Sequence, residues 1–248
     1  MIVIIGETHD DILYFDSVVA NRREETILNR YKISLGTIFS QEVLIICEQF
    51  TSLIASSVLM HIFSQYYVDL VISVGRCMTV SKSIKSGDVI VSRKVIDANV
   101  DLSMYNDVAL GQIPGFDRNF MVQDDILEYM SQGLTRRTNV DYHIATFLST
   151  DNMSPYMLEI LKQRESVFAM DNELMVVDHN SAGIAIASFL RNVPFVVVKV
   201  AENNLAQVNN LDTYSNVLSK YIDLGKAVIS TINDIGRSDV LEEQGDEN

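Results

Sequence analysis

The stretch VVDHNSAGIAIASFLRNVPFVVVKVAENN, residues 176–204, decides the fold. Ser181 to Ala187 are small or apolar and lead into Phe189 and Leu190, which suits a buried helix packed closely on a sheet. Val193 to Val200 then reads as one apolar run, the pattern of a strand covered on both faces. In such sheets ligands sit beyond the carboxyl ends of the strands, so Glu202, Asn203 and Asn204 fall where a site belongs. Asp178, His179 and Asn180, at the start of the helix, can face the same crevice.

Outward from that stretch the chain repeats the theme. Met1–Ile5 reads as an apolar strand ending at Gly6, after which Glu7, Thr8, His9, Asp10 and Asp11 crowd one turn. Residues 12–28 read as a helix with a charged end, Lys32–Phe39 and Glu42–Cys47 as strands, and Ile54–Phe63 as a helix. Val68–Val74 is a strand ending at Gly75, and Gly87–Asp88 turns into another at Val89–Ser92. Residues 101–120 form a long loop around Gly111, Pro114 and Gly115, of a length that is usually functional or interfacial. A short helix over 124–132, a strand over 142–149, a helix over 155–164 and an amphipathic helix over 211–235 complete the reading.

With 248 residues, three prolines and no linker, one domain over 1–236 and a frayed acidic tail over 237–248 are expected. A net charge of −14 excludes a nucleic-acid or anionic-membrane surface, because phosphates are repelled. Cys47 and Cys77 read as reduced core thiols. The start lacks the basic flank and apolar length of an export signal, and no run reaches the ~20 apolar residues of a membrane span. The expected place is the cytoplasm. No metal-ligand spacing and no glycine-rich phosphate loop occurs, so neither metal nor cofactor is expected.

Four segments, MIVIIGETHDDI, VDLVISVGRCMTVSKSIKSGDVIVSRKVIDANVD, GQIPG at 111–115 and AGIAIASFLRNVPFVVVKV, together resemble the nucleoside phosphorylase superfamily. The match is strongest with its methylthioadenosine/adenosylhomocysteine nucleosidases. The resemblance implies an α/β chain with a three-layer α/β/α architecture and a mixed, partly barrel-like central sheet. It implies a homodimer in which the loop at Pro114 reaches the neighbour's site, whereas a catalytically impaired chain can instead form a heterodimer with an active paralogue. It also implies a purine nucleoside or adenine-like ligand whose N-ribosidic bond is hydrolysed.

Such chemistry needs a base for water, a carboxylate for the ribose hydroxyls and an acid for the leaving purine. The resemblance places these at Asp11, Asn180 and Asn203. Asp11 keeps its charge, whereas the two amides can hydrogen-bond but cannot act as acids. Other positions follow from the same match. Phe50 lies in a turn that the family makes glycine-rich, and Arg76 stands where the family keeps a serine, as an anion contact, a plug or an outward ion pair. Asp151 matches the end of a Ser-Gly-Asp segment, and Met153 lies near the place of an aromatic that stacks on the purine.

His9 is either an exposed turn residue or a replacement acid or base, and Glu7 and Asp10 read as a solvated strand tip. His179 stands where the family has methionine and can take up hydrogen bonding that Asn180 gives up. Asp178 is an N-cap or a site residue. Glu202 rescues the missing acid only if a bulge turns it inward. Two outcomes remain open: a working nucleosidase, or a catalytically impaired relative that binds nucleosides or dimerises.

Overall fold

A computed structural model describes residues 1–81, 83–102, 104, 108–137, 141–163, 173–204 and 214–245. Its strands are β1 (Ile2–Gly6), β2 (Ala20–Ile27), β3 (Tyr31–Ile38), β4 (Gln41–Cys47), β5 (Leu70–Thr79), β6 (Val89–Asp97), β7 (Phe120–Met121), β8 (Tyr142–Ser149), β9 (Met175–Asp178) and β10 (Phe195–Asn204). Its helices are α1 (His9–Val18), α2 (Ser52–Gln65), α3 (Asp124–Arg137), α4 (Pro155–Gln163), α5 (Ser181–Arg191) and α6 (Tyr214–Gly245).

The expected helix-to-strand passage is α5 into β10. β10 runs parallel to β5 on one side and antiparallel to β6 on the other, so the sheet is mixed. β6, β8 and β9 continue the pairing back to β5, closing five strands into a barrel. From β5 the sheet also extends outward through β1, β4, β3 and β2 as an open arm. Helices α1, α3 and α6 pack together as one group and α2 and α5 as another, giving the layers of an α/β/α chain. The core is aliphatic: Val3, Ile4, Val71, Ile72, Val196 and Val198 are shut off from solvent.

Three glycines set how closely these layers approach. A Cβ on Gly6 would stand 2.4 Å from the Ile12 side chain, so α1 can press on the end of β1 only because none is there. On Gly183 it would meet the Ser52 carbonyl at 1.8 Å, which is why α5 lies directly against the start of α2. Gly75, at φ +152°, would place a Cβ 2.8 Å from the carboxyl carbon of Glu7.

The helix expected over 12–28 is corrected. It stops at Val18, and Ala20–Ile27 is an exposed edge strand paired antiparallel to β3. An edge strand with both faces in water needs no apolar alternation, and its charges discourage pairing with another sheet, so Arg22-Arg23-Glu24-Glu25 resembles the polar end of a helix. The strand expected to end before Gly75 instead continues to Thr79, passing through the glycine at a φ of +152° that L side chains rarely adopt. The tail expected to fray from 237 is helical backbone of α6 as far as Gly245. Among the described residues no helix is long and apolar enough to cross a membrane.

Candidate active site

The ends of β1, β5, β9 and β10 meet at a cluster of charged side chains. At its centre is Lys199, fully buried in β10. Its ammonium donates to Glu7 Oε1 and to Asn180 Oδ1 at 2.8 Å, and it lies 2.6 Å from Asp178 Oδ2. Two hydrogen bonds and a second carboxylate thus surround the ammonium, the company a buried cation requires. Burial alone would lower the lysine's pKa, but Asp178 and Glu7 outweigh it and the net shift is upward. Lys199 therefore holds its charge without solvent.

One expectation is overturned here, and one open alternative is decided. Glu7 is not on a solvated strand tip: it is 3% exposed and bound to Lys199. Nor is Asp178 the N-cap of α5, which is Asn180. Asp178 ends β9, accepts a 2.6 Å hydrogen bond from the Ser181 hydroxyl and faces Lys199. The run Val193–Val200 is accordingly not wholly apolar, since its lysine organises the site.

Asp11 sits in the first turn of α1. Its Oδ2 accepts from the backbone N–H groups of Glu7 at 3.0 Å and Thr8 at 2.6 Å, which reaches back over the helix start. Its Oδ1 is buried and unpartnered. Burial pushes its carboxyl pKa up, the Thr8 backbone bond pulls it down and Glu7 pushes it up again, for a net rise. A carboxylate with one fixed oxygen and one free one, and raised basicity, is built to accept a proton.

The third part of the cluster is more exposed. β10 shifts register against β5 between Ala201 and Asn203, so Glu202 occupies a bulge. It turns to Arg76, whose Nη1 lies 3.1 Å from its Oε1 and 3.2 Å from its Oε2, and it accepts from the Tyr221 hydroxyl at 3.1 Å. Arg76 Nη2 also donates to the Thr8 hydroxyl at 3.3 Å. Arg76 is thus an ion-pair partner that bridges the β1–α1 turn to the bulge. The turn before β6 holds the bulge, with the Ser86 hydroxyl donating to the Glu202 carbonyl at 2.6 Å and the Gly87 N–H to the Ala201 carbonyl at 2.6 Å.

Asn180 is fully buried, with Nδ2 unpartnered. The backbone of Asn203 pairs with Met78, and its side chain lies outside the described residues. His9 is exposed at the start of α1. His179 is half-buried, and its carbonyl accepts from the Ser52 hydroxyl at 3.2 Å.

Several other candidates serve the frame. Phe50 is core, packed edge-on against Tyr31 at 5.3 Å between ring centroids. Asp151 Oδ1 accepts from the Ser52 N–H at 2.9 Å, capping α2 from the end of β8. Met153 packs on a small separate apolar cluster with Val80 and Leu148. Pro114 is exposed, in a turn that Phe116 anchors to Phe189 of α5.

The Phosphorylase superfamily model matches residues 1–232. A 5'-methylthioadenosine/S-adenosylhomocysteine nucleosidase of Buchnera aphidicola is 27% identical over 209 residues, covering 81% of this chain and 86% of that protein. One from Anoxybacillus flavithermus is 21% identical, covering 85% and 88%. The fold is that of the Neisseria meningitidis nucleosidase solved with methylthio-immucillin-A, with TM-score 0.82, 16% identity, and 94% and 98% of the two chains covered. It is also that of Helicobacter pylori futalosine hydrolase, with TM-score 0.80, 16% identity, and 94% and 97% covered. With the barrel, the open arm and the cluster at the strand ends all in place, the chain belongs to the phosphorylase superfamily.

Proposed function

We propose that this chain hydrolyses the N-ribosidic bond of a purine nucleoside of the methylthioadenosine or adenosylhomocysteine type. The observation that carries this is Asp11, whose free Oδ1 stands in a buried, raised-pKa carboxyl. Water adds to the anomeric carbon, its proton passes to Asp11, and the bond to the purine breaks with its electron pair leaving on the base. Position 203 offers an amide rather than an acid, so the departing purine takes its proton from solvent. Support for the substrate class comes from relatives named as nucleosidases, and from a Borrelia burgdorferi neighbour solved with adenine. None of these supports a catalytically impaired module.

Purified protein is expected to release adenine from methylthioadenosine linearly with time. Asp11→Asn should lose about 100-fold or more in kcat with KM little changed, the usual worth of a positioned base. A wild-type rate equal to the enzyme-free blank overturns the reading.

The same reading makes the chain a dimer, in which a second copy covers the exposed Leu53 of α2 and Phe189 and Leu190 of α5. It also places the chain in the cytoplasm, where the free thiols of Cys47 and Cys77 stay reduced.

A further inference from the structure

We propose that Glu7 is a substrate-binding residue, whose Oε2 together with Asn180 Nδ2 grips the two ribose hydroxyls. This rests on the nucleosidase reading. The described carboxylates of the cluster are nearly all committed. Asp178 is held by Lys199 and Ser181 and Glu202 by Arg76 and Tyr221, while Asp11 keeps its free oxygen for water. Three described carboxylates of the cluster keep a buried oxygen without a hydrogen bond: Asp11 Oδ1, Asp178 Oδ2, which still lies 2.6 Å from the Lys199 ammonium, and Glu7 Oε2, whose sister oxygen Oε1 binds Lys199.

Asn180 mirrors it, with Oδ1 on Lys199 and Nδ2 buried without a partner. Buried polar atoms in folded chains are nearly all paired, so an unpaired acceptor and an unpaired donor on side chains that share one ammonium are unusual. Acceptors on one ammonium lie on the order of 4–5 Å apart given ~2.9 Å hydrogen bonds, which brings the two side chains within the span of a vicinal diol. The carboxylate accepts from one hydroxyl and the amide donates to the oxygen of the other.

The local sequence prepares this arrangement. Gly75 has no Cβ to occupy the space of the Glu7 carboxyl, and the Lys199 ammonium holds that carboxyl in place. The negative charge beside the sugar also stabilises the ribosyl cation that forms as the purine leaves. Both atoms are closed off from bulk water, and the solvent-facing members of the cluster are Arg76 and Glu202. Substrate entry therefore passes that ion pair.

The test compares Glu7→Gln and Glu7→Asp with wild type on methylthioadenosine and on its 2′-deoxy and 3′-deoxy analogues. Glu7→Asp keeps a charged partner for Lys199 should the glutamine variant fail to fold. The expected loss in kcat/KM is about 100-fold on the ribonucleoside, the usual worth of one preorganised polar contact. It should shrink to within about threefold on one deoxy analogue, because that substrate lacks the hydroxyl Glu7 holds. An equal loss on all three substrates means that Glu7 only holds the fold and overturns the proposal. Should wild type hydrolyse none of them, the nucleosidase reading fails by itself. Thermal shift by methylthioadenosine then decides: a shift that Glu7→Asp abolishes supports the ribose contact, and no shift or an unchanged one overturns it.

Discussion

Asp11 and Arg76 share one local field, and that sets how activity should depend on pH. Burial is the largest cause of the raised Asp11 carboxyl, and the Arg76 cation opposes it. A general base works deprotonated, so its pKa fixes the acid limb of kcat/KM. Arg76→Met keeps volume and removes the cation that lowers the Asp11 pKa, and should move that limb to higher pH, by a small step because Arg76 is partly exposed and is the smallest of the influences on Asp11. A limb that stays or moves to lower pH counts against Asp11 as the base. Position 11 was legible because an acid after an apolar strand and a glycine is a recognisable strand tip. Glu7 and Lys199 were not. The glutamate is hidden among neighbouring acids, and the lysine breaks a valine run without changing its apolar look. The available signal was electrostatic: a lysine inside a two-sided buried strand must find acids, and the tips of adjoining strands are where they lie. Glu202 was legible only conditionally, because a bulge redirects a side chain without leaving a mark in the sequence.

At the scale of elements, the α2–α5 contact positions Asn180 and Ser181. The backbone at Ser52 touches Gly183, Asp151 caps α2, and Arg191 Nη2 donates to the Phe63 carbonyl at 3.3 Å further along the pair. Gly183→Ala would bring a methyl group to 1.8 Å of a carbonyl oxygen, so the two helices must separate. That overpacking should cost about 1–3 kcal/mol, read as a lower urea midpoint at unchanged slope. An unchanged midpoint would show that the helices do not lie this close. The small residues of SAGIAIAS announced this close packing in the sequence, and the apolar strands were equally plain. The edge strand β2 was not, because its solvent-exposed charges follow neither of the periods by which elements are recognised.

The whole molecule presents a charge-bearing site at the end of a closed barrel and an apolar surface on the helices beside it. Leu53 is 73% exposed near the start of α2, and Phe189 and Leu190 are more than half exposed at the end of α5. Light scattering should give a mass twice that of the chain, and Leu53→Lys should shift it toward one chain by burying an unpaired charge in the interface. A wild-type mass of one chain contradicts the dimer. The architecture was legible as a whole because the order of apolar strands and small-residue helices spans the chain. The site was legible in its location but not in its wiring, since the lysine-centred network joins residues from positions 7, 178, 180 and 199 that only the assembled sheet, barrel and arm together, brings side by side. The most direct test of the account is hydrolysis of methylthioadenosine in oxygen-18-labelled, phosphate-free water, with mass analysis of the released sugar. The account predicts one labelled oxygen per free sugar, formed together with adenine and lost with Asp11→Asn; an unlabelled sugar, or adenine no faster than the enzyme-free blank, would contradict it.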